Sequence, residues 1–336
     1  LTDQFWKRRQ GSDHFFTHPE PCHGFSHPRW KRGNHHFIHS QMQLKPPIML
    51  SVELSTTFVK MYPKCAAKNI LLPYPIPDGR VFNGFFVEEA NQLLQSQGAN
   101  ISNLSNFPEV HQRPAKMFYS GGNHGTCEHM RKSIQHDYEC SPSKAFYNSL
   151  GKLSSPYGVG MRLADFCPCP GGDTPSAKRM FDAVLSGCIP VILSEDFVWP
   201  LSREFDPENK AFLDPEHFSI RLNSALFFEP KCSKENCTPV SSNDPPLHDF
   251  LSSISNEKIK SLLEGLKEAR QTYSFYRFDA SHPDQLMREG TLPDGGASHA
   301  LLAALEERAL GKKWPACLEE LQNLGDNVVQ PRAFKC

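Results

Sequence analysis

Three stretches of this sequence predict an α/β fold of two Rossmann-like halves facing one another across a cleft. The clearest is 157–200, YGVGMRLADFCPCPGGDTPSAKRMFDAVLSGCIPVILSEDFVWP, which reads as strand, glycine-rich turn, helix and strand. The second is 116–135, with a strand at Lys116–Ser120, a loop at Gly121-Gly122-Asn123-His124-Gly125 and a helix at Cys127–Gln135. The third is the pattern before them. Apolar runs of strand length at Pro47–Leu54 and Asn69–Tyr74 and a helix at Phe85–Ser96 precede an Asn- and Ser-rich stretch from Gly98 to Arg113 that reads as a linker. Residues 1–112 and 113–336 are therefore expected as two domains.

Within the clearest stretch the punctuation is explicit. Ala164–Pro168 is a short apolar run, Cys169–Asp173 a turn and Cys188–Leu193 a buried-strand run. Thr174 suits the N-cap of the helix between them, Pro175 its first position and Gly187 a left-handed stop. Met180, Phe181, Val184 and Leu185 form the apolar stripe, and Lys178, Arg179, Asp182 and Ser186 the polar face.

That arrangement has a chemical meaning. Unpaired N–H groups and the helix dipole favour an anion at such a turn. Long side chains lean toward the amino end of their helix, so Lys178 or Arg179 can reach the same anion. A guanidinium on a diphosphate and a carboxylate on a ribose diol fit the Arg179–Asp182 spacing. The following strand ends at Ser194-Glu195-Asp196, on the edge where open parallel sheets bind ligands. Two glycine-rich turns in one sheet, each followed by a helix with basic residues (Arg131 and Lys132 in the second case), could flank one diphosphate. The same residues also fit ordinary βαβ units with solvated charged faces, since neither turn is a G-x-G-x-x-G or P-loop motif.

The remaining elements are expected as a strand at Phe218–Leu222, a polar insert over 223–248, and helices at Asn256–Tyr273 and Ala297–Leu310. Trp314–Cys336 is weakly specified. The start of the chain reads as short strands at His14–His18 and Phe37–Ser40.

Composition narrows the function. Among 336 residues, 36 are Lys or Arg and 37 Asp or Glu, so no basic surface argues for nucleic acid. Mean hydropathy is −0.48, and no apolar run approaches the ~20 residues of a membrane span. His18, Cys22, His23, His35 and His39 are metal-ligand types, but without paired CxxC or HExxH spacing no metal is expected. The 11 cysteines, of which Cys232 and Cys237 are the easiest pair to join, and sequons at Asn100, Asn103 and Asn236 favour a secretory lumen.

The motif FCPCPGGDTPSAKRMFDAVLSGCIPVILSED resembles the signature of the exostosin-like glycosyltransferases of family 47. Other blocks follow in that family's order: Gly11-Ser12-Asp13-His14-Phe15-Phe16, Lys68-Asn69-Ile70-Leu71-Leu72-Pro73-Tyr74-Pro75, Lys116–Gly121 and Phe218-Ser219-Ile220. The likeness covers roughly residues 10–280 of the sequence. Trp199-Pro200-Leu201 departs from the family's L-P-F. The resemblance implies the GT-B fold, with the nucleotide sugar held by the second half, and inverting transfer from a UDP-sugar to a hydroxyl of a glycan or glycoprotein, without a cofactor. Family members carry a signal anchor and further sheet before the D-H-F-F block. This chain starts at Leu1 and enters the block almost at once, so its first domain is expected to be truncated at its start. The implied setting is the Golgi or ER lumen, as a type II membrane protein through an anchor absent from this chain.

In that reading Arg179, helped by Lys178 and by Arg131 (a basic position of the family pattern), neutralises the diphosphate. Gly121, Gly122, Gly171, Gly172, Thr174 and Ser176 line it, Asp182 holds the ribose, and Glu195 and Asp196 bond donor-sugar hydroxyls. The general base that an inverting transfer requires is Asp13 or His14. Two rivals stay open: a glycan-binding descendant without turnover, and a cytosolic nucleotide enzyme of ordinary Rossmann type.

Overall fold

The computed structural model describes residues 15–18, 48–54, 69–74, 85–96, 113–122, 128–139, 148, 150, 153, 156–172, 175–204, 212–223, 232–233, 236–237, 247–274 and 296–309. The expected strand at 37–40, most of the linker, Asn100, Asn103, Asp13, His14, Thr174 and the tail from 314 lie outside these residues.

Three strands, β1 (Phe15–His18), β2 (Ile48–Ser51) and β3 (Asn69–Leu71), form a parallel sheet in that order. A second parallel sheet runs β4 (Ala115–Met117), β5 (Ala164–Cys169), β6 (Ile189–Ile192), β7 (Ile220–Arg221). All six residues of β5 and all four of β6 are buried, as strands covered on both faces require. The expected helix at 85–96 is α1 (Phe85–Ser96); α2 is Glu128–Glu139, α3 Pro156–Arg162 and α4 Lys178–Ser186. After β7 come a hairpin within the polar insert (β8, Cys232–Ser233; β9, Asn236–Cys237), then α5 (Leu247–Ser252), α6 (Asn256–Tyr273) and α7 (Gly296–Ala309). Cys232 and Cys237 are backbone register partners in that hairpin; the expected pairing of their side chains lies outside what is described.

The core of the second sheet centres on α4. Phe181 meets Tyr74, Trp199, Tyr273 and Phe197 with ring centroids 5.5, 5.7, 5.8 and 6.3 Å away, and Trp199 stacks on Tyr273 at 5.6 Å. Each such buried aromatic is worth roughly 1.5–3 kcal/mol. The Tyr273 hydroxyl is satisfied by the Pro200 carbonyl at 2.7 Å. Two helices cross between the sheets' cores. α1 packs on α3 and sends Ala90, Leu93 and Leu94 into the core of the second sheet, while Leu301, Ala304 and Leu305 of α7 pack with Ile48, Leu50 and Ile70 of the first.

One covalent tie was not legible beforehand. Cys167 in β5 and Cys188, just before β6, form a disulfide, closing a loop that carries the whole turn and α4. Cys169 is a buried free thiol that donates to the Cys167 carbonyl.

Candidate active site

β4 and β5 both end on the edge from which α4 departs, so their two glycine turns are neighbours. Arg131 of α2 holds them together: Nη1 donates to the Gly122 carbonyl at 3.0 Å and Nη2 to the Gly171 carbonyl at 2.7 Å. The planar fork of a guanidinium suits two diverging acceptors, which a lysine ammonium would not match. This side chain is buried, so its first contribution is to set the spacing of the turns.

The start of α4 differs from expectation. The helix begins at Lys178, with Ala177 as an N-cap in extended conformation (φ −144°, ψ 141°) and no side-chain cap. Thr174 and Pro175 therefore do not serve as N-cap and first helical residue. The reason lies in tertiary partners of Ser176. Its backbone N–H donates to Glu53 Oε1 at 2.8 Å, its carbonyl accepts from Gly172 N at 3.2 Å, and its hydroxyl lies 3.1 Å from that of Tyr74. Those bonds keep the chain out of the helix until the extended Ala177. The carboxyl end follows the sequence: Gly187 is left-handed (φ 78°) and its N–H caps the helix on Ala183 and Val184.

From the first turn of α4, Arg179 crosses to the β4 turn. Its guanidinium lies 4.4 Å over the Tyr119 ring and 5.8 Å from that of Tyr157, and Nη2 donates to the Ser120 carbonyl. Arg179 Nη1 and the Tyr119 hydroxyl are both buried, and neither has a hydrogen-bond partner. Leaving a buried polar group unpaired costs about 1–3 kcal/mol, so such pairs are unusual unless something else satisfies them. Burial raises the Tyr119 phenol above its ordinary range, against the smaller pull of Arg179 and Arg131.

Asp182, three residues on in the same helix, is 2% exposed. Its Oδ2 accepts the Tyr157 hydroxyl at 3.0 Å and its Oδ1 the Lys178 ammonium at 2.6 Å. Burial first, and then the charge of Asp182, push the Tyr157 phenol well above its ordinary range. The spacing that placed Arg179 and Asp182 on one face is thus bridged by a tyrosine of α3, stacked near the guanidinium and bonded to the carboxylate. The Cys169 thiol below is pushed up to about 12 by burial.

Glu195 is exposed and Asp196 half-buried in the turn after β6, on the same edge of the sheet. Arg221 fastens that turn, donating from Nη1 to the Ser194 carbonyl at 3.1 Å and from Nη2 to the Phe197 carbonyl at 3.0 Å and Glu204 Oε1 at 2.7 Å. Among the described residues no cluster of His, Cys, Asp and Glu could hold a metal, and no helix is long and apolar enough to cross a membrane. Sequence reasoning did not single out Tyr119, Tyr157, Tyr74 or Glu53, because their parts depend on which strand ends and loops become neighbours.

Parallel sheets with paired glycine turns and a cationic helix start define a mixed α/β protein of Rossmann-like type. The chain belongs to the exostosin GT47 family: the model of the Exostosin GT47 domain matches residues 1–225. It is 27% identical to a probable glycosyltransferase of Arabidopsis thaliana over 83% of this chain and 47% of that protein. It is 25% identical to a probable glucuronosyltransferase of Oryza sativa subsp. japonica over 59% of this chain and 42% of that one. A probable beta-1,4-xylosyltransferase of Arabidopsis thaliana, IRX10, is 24% identical over 59% and 43% of the two chains. The chain spans about half the length of the curated relatives it matches.

Proposed function

We propose that this protein is an inverting glycosyltransferase of GT-B architecture. It moves a sugar from a UDP-sugar to a hydroxyl of a glycan or glycoprotein, with residues 1–112 on the acceptor side and 113–336 holding the donor. The acceptor oxygen attacks the anomeric carbon from the face opposite the diphosphate. That bond forms as the carbon–oxygen bond to the diphosphate breaks; the acceptor proton passes to a base, for which Asp13 and His14 are the candidates. UDP departs with the bonding pair, and its growing negative charge is what the site must stabilise.

The observation that carries the reading is the Arg179 guanidinium, held against the β4 glycine turn with one buried nitrogen unpaired. The N–H groups at the start of α4 and Lys178 add positive potential on the same side. Arg131 serves by fixing the turns at Gly121-Gly122 and Gly171-Gly172. Asp182, positioned by Tyr157 and Lys178, is proposed to hold the donor's ribose. Glu195 and Asp196 are proposed to meet hydroxyls of the donor sugar, and Ser176 and Thr174 to shape the entry beside the helix. Relatives bearing glucuronosyl- and xylosyltransferase names support a sugar-transferring role. A secretory lumen fits the Cys167–Cys188 disulfide, because such bonds persist in oxidising compartments.

Thermal unfolding with and without UDP tests this. Saturation at 100 times Kd stabilises by about 2.7 kcal/mol, so the parent's midpoint is expected to rise with UDP and that of Arg179→Ala to stay put. An equal rise in both would remove Arg179 from the diphosphate.

A further inference from the structure

We propose that the Tyr119 hydroxyl is a second ligand of the donor's diphosphate, acting with Arg179 on the same phosphoryl oxygen. The inference rests on the reading that the turn before α4 holds that diphosphate. It goes beyond it by adding a residue from a different strand end and a different chemical group.

Beyond β4 the chain runs Phe118-Tyr119-Ser120-Gly121. Phe118 packs against Gly160 in the core, and Tyr119 carries the guanidinium 4.4 Å above its ring. A phenylalanine would supply the same flat platform for a cation. The hydroxyl adds nothing to that role and is left buried with no partner, on a residue only 3% exposed. Arg179 Nη1, in the same cluster, is also buried and unpartnered.

The two groups converge. A Cβ added at Gly121 would collide with Arg179 Nη2 and sit 2.9 Å from the Tyr119 oxygen, so both side chains close on one point of the β4 turn. There is space for the phenol and guanidinium to meet there only because residue 121 has no side chain. Burial keeps the phenol protonated at neutral pH, with the arginines pulling the other way. It is therefore a neutral O–H donor beside a charged N–H donor, a pairing that suits an anionic oxygen and repels none. A phosphoryl oxygen at that point would accept from both the guanidinium and the phenol and give the buried hydroxyl the partner it lacks.

The test compares Tyr119→Phe with the parent protein, measuring the affinity of UDP and of uridine, which lacks phosphate, alongside the unfolding midpoint. The substitution is expected to leave the midpoint unchanged or slightly higher, since an unpaired hydroxyl is removed. UDP affinity is expected to fall about tenfold or more, and uridine affinity to stay within twofold. Equal weakening of both ligands would show that Tyr119 merely supports the site and overturn the inference. Undiminished UDP binding would overturn it as well, while leaving the wider reading intact. If the parent itself bound no UDP, the donor reading would fail and this inference with it.

Discussion

Glu53 accepts the backbone N–H of Ser176 at 2.8 Å, joining residues 123 positions apart. A carboxylate from the segment after β2 thus stands at the entrance to α4, where unpaired N–H groups attract negative charge. The segment after β2 supplies an anion to the helix that we propose binds the donor's diphosphate, so the placement of the first sheet and the shape of that turn are coupled.

That coupling sets a first expectation. Glu53→Ala leaves the Ser176 N–H without its charged acceptor, and hydrogen bonds to charged groups contribute about 1.5–3 kcal/mol. A denaturant midpoint lower by a corresponding amount is expected, with Glu53→Gln falling in between because its amide oxygen can still accept. Equal midpoints for all three proteins would show that the bond is incidental.

Two glycines separate binding from folding. At Gly121 an added Cβ meets the far ends of Arg179 and Tyr119, which are side chains able to yield. At Gly265 of α6 it overlaps the carbonyl of His217, which belongs to the backbone of the short 3₁₀ turn at Pro215–His217. Gly121→Ala is expected to fold normally and lose UDP affinity through displacement of the arginine. Gly265→Ala is expected to lose about 1–3 kcal/mol of stability through the shift of α6, and its UDP affinity should be unchanged while it is folded. Calorimetric titration and unfolding curves on both variants check this; the reverse pattern would contradict it.

The Cys167–Cys188 disulfide, with its separation of 21 residues, encloses the turn and α4. Loop-closure entropy puts its contribution at about 3 kcal/mol, so Cys167→Ala/Cys188→Ala should lower the unfolding free energy by roughly that much. Cys169 provides a reading on the same strand. With its thiol pushed up from 9.0 to about 12, the thiolate fraction at pH 8 falls about 10³-fold. Peptide-resolved alkylation of the native protein should therefore find Cys169 inert near neutrality and reactive only on unfolding. Rapid labelling at pH 8 in the folded protein would refute its burial.

How much of this was readable beforehand follows from the range of each signal. α1 and α6 have the expected bounds, and Gly187 ends α4 as expected, because stripe periodicity and a left-handed stop are local properties. β5 and β6 were visible as apolar runs because both their faces are covered. The amino end of α4 was misplaced by three residues: Thr174 and Pro175 are good local signals, but Ser176 is bound by Glu53, Tyr74 and Gly172, and that outweighs a capping preference.

By itself the sequence determined the main strands and helices other than α3 and α5, and the cationic start of α4, since these depend on residues a few positions apart; it did not show that Asp182 and Ser186, on the polar face of α4, would be buried. Only the tertiary structure decided that Arg131 spans two turns 49 residues apart, measured from Gly122 to Gly171, that Asp182 faces Tyr157 and Lys178, and that Tyr119 lies under Arg179. These relationships depend on which strand ends become neighbours in a parallel sheet. That is settled when distant segments bury their apolar faces together, and the pattern within any one segment does not encode it.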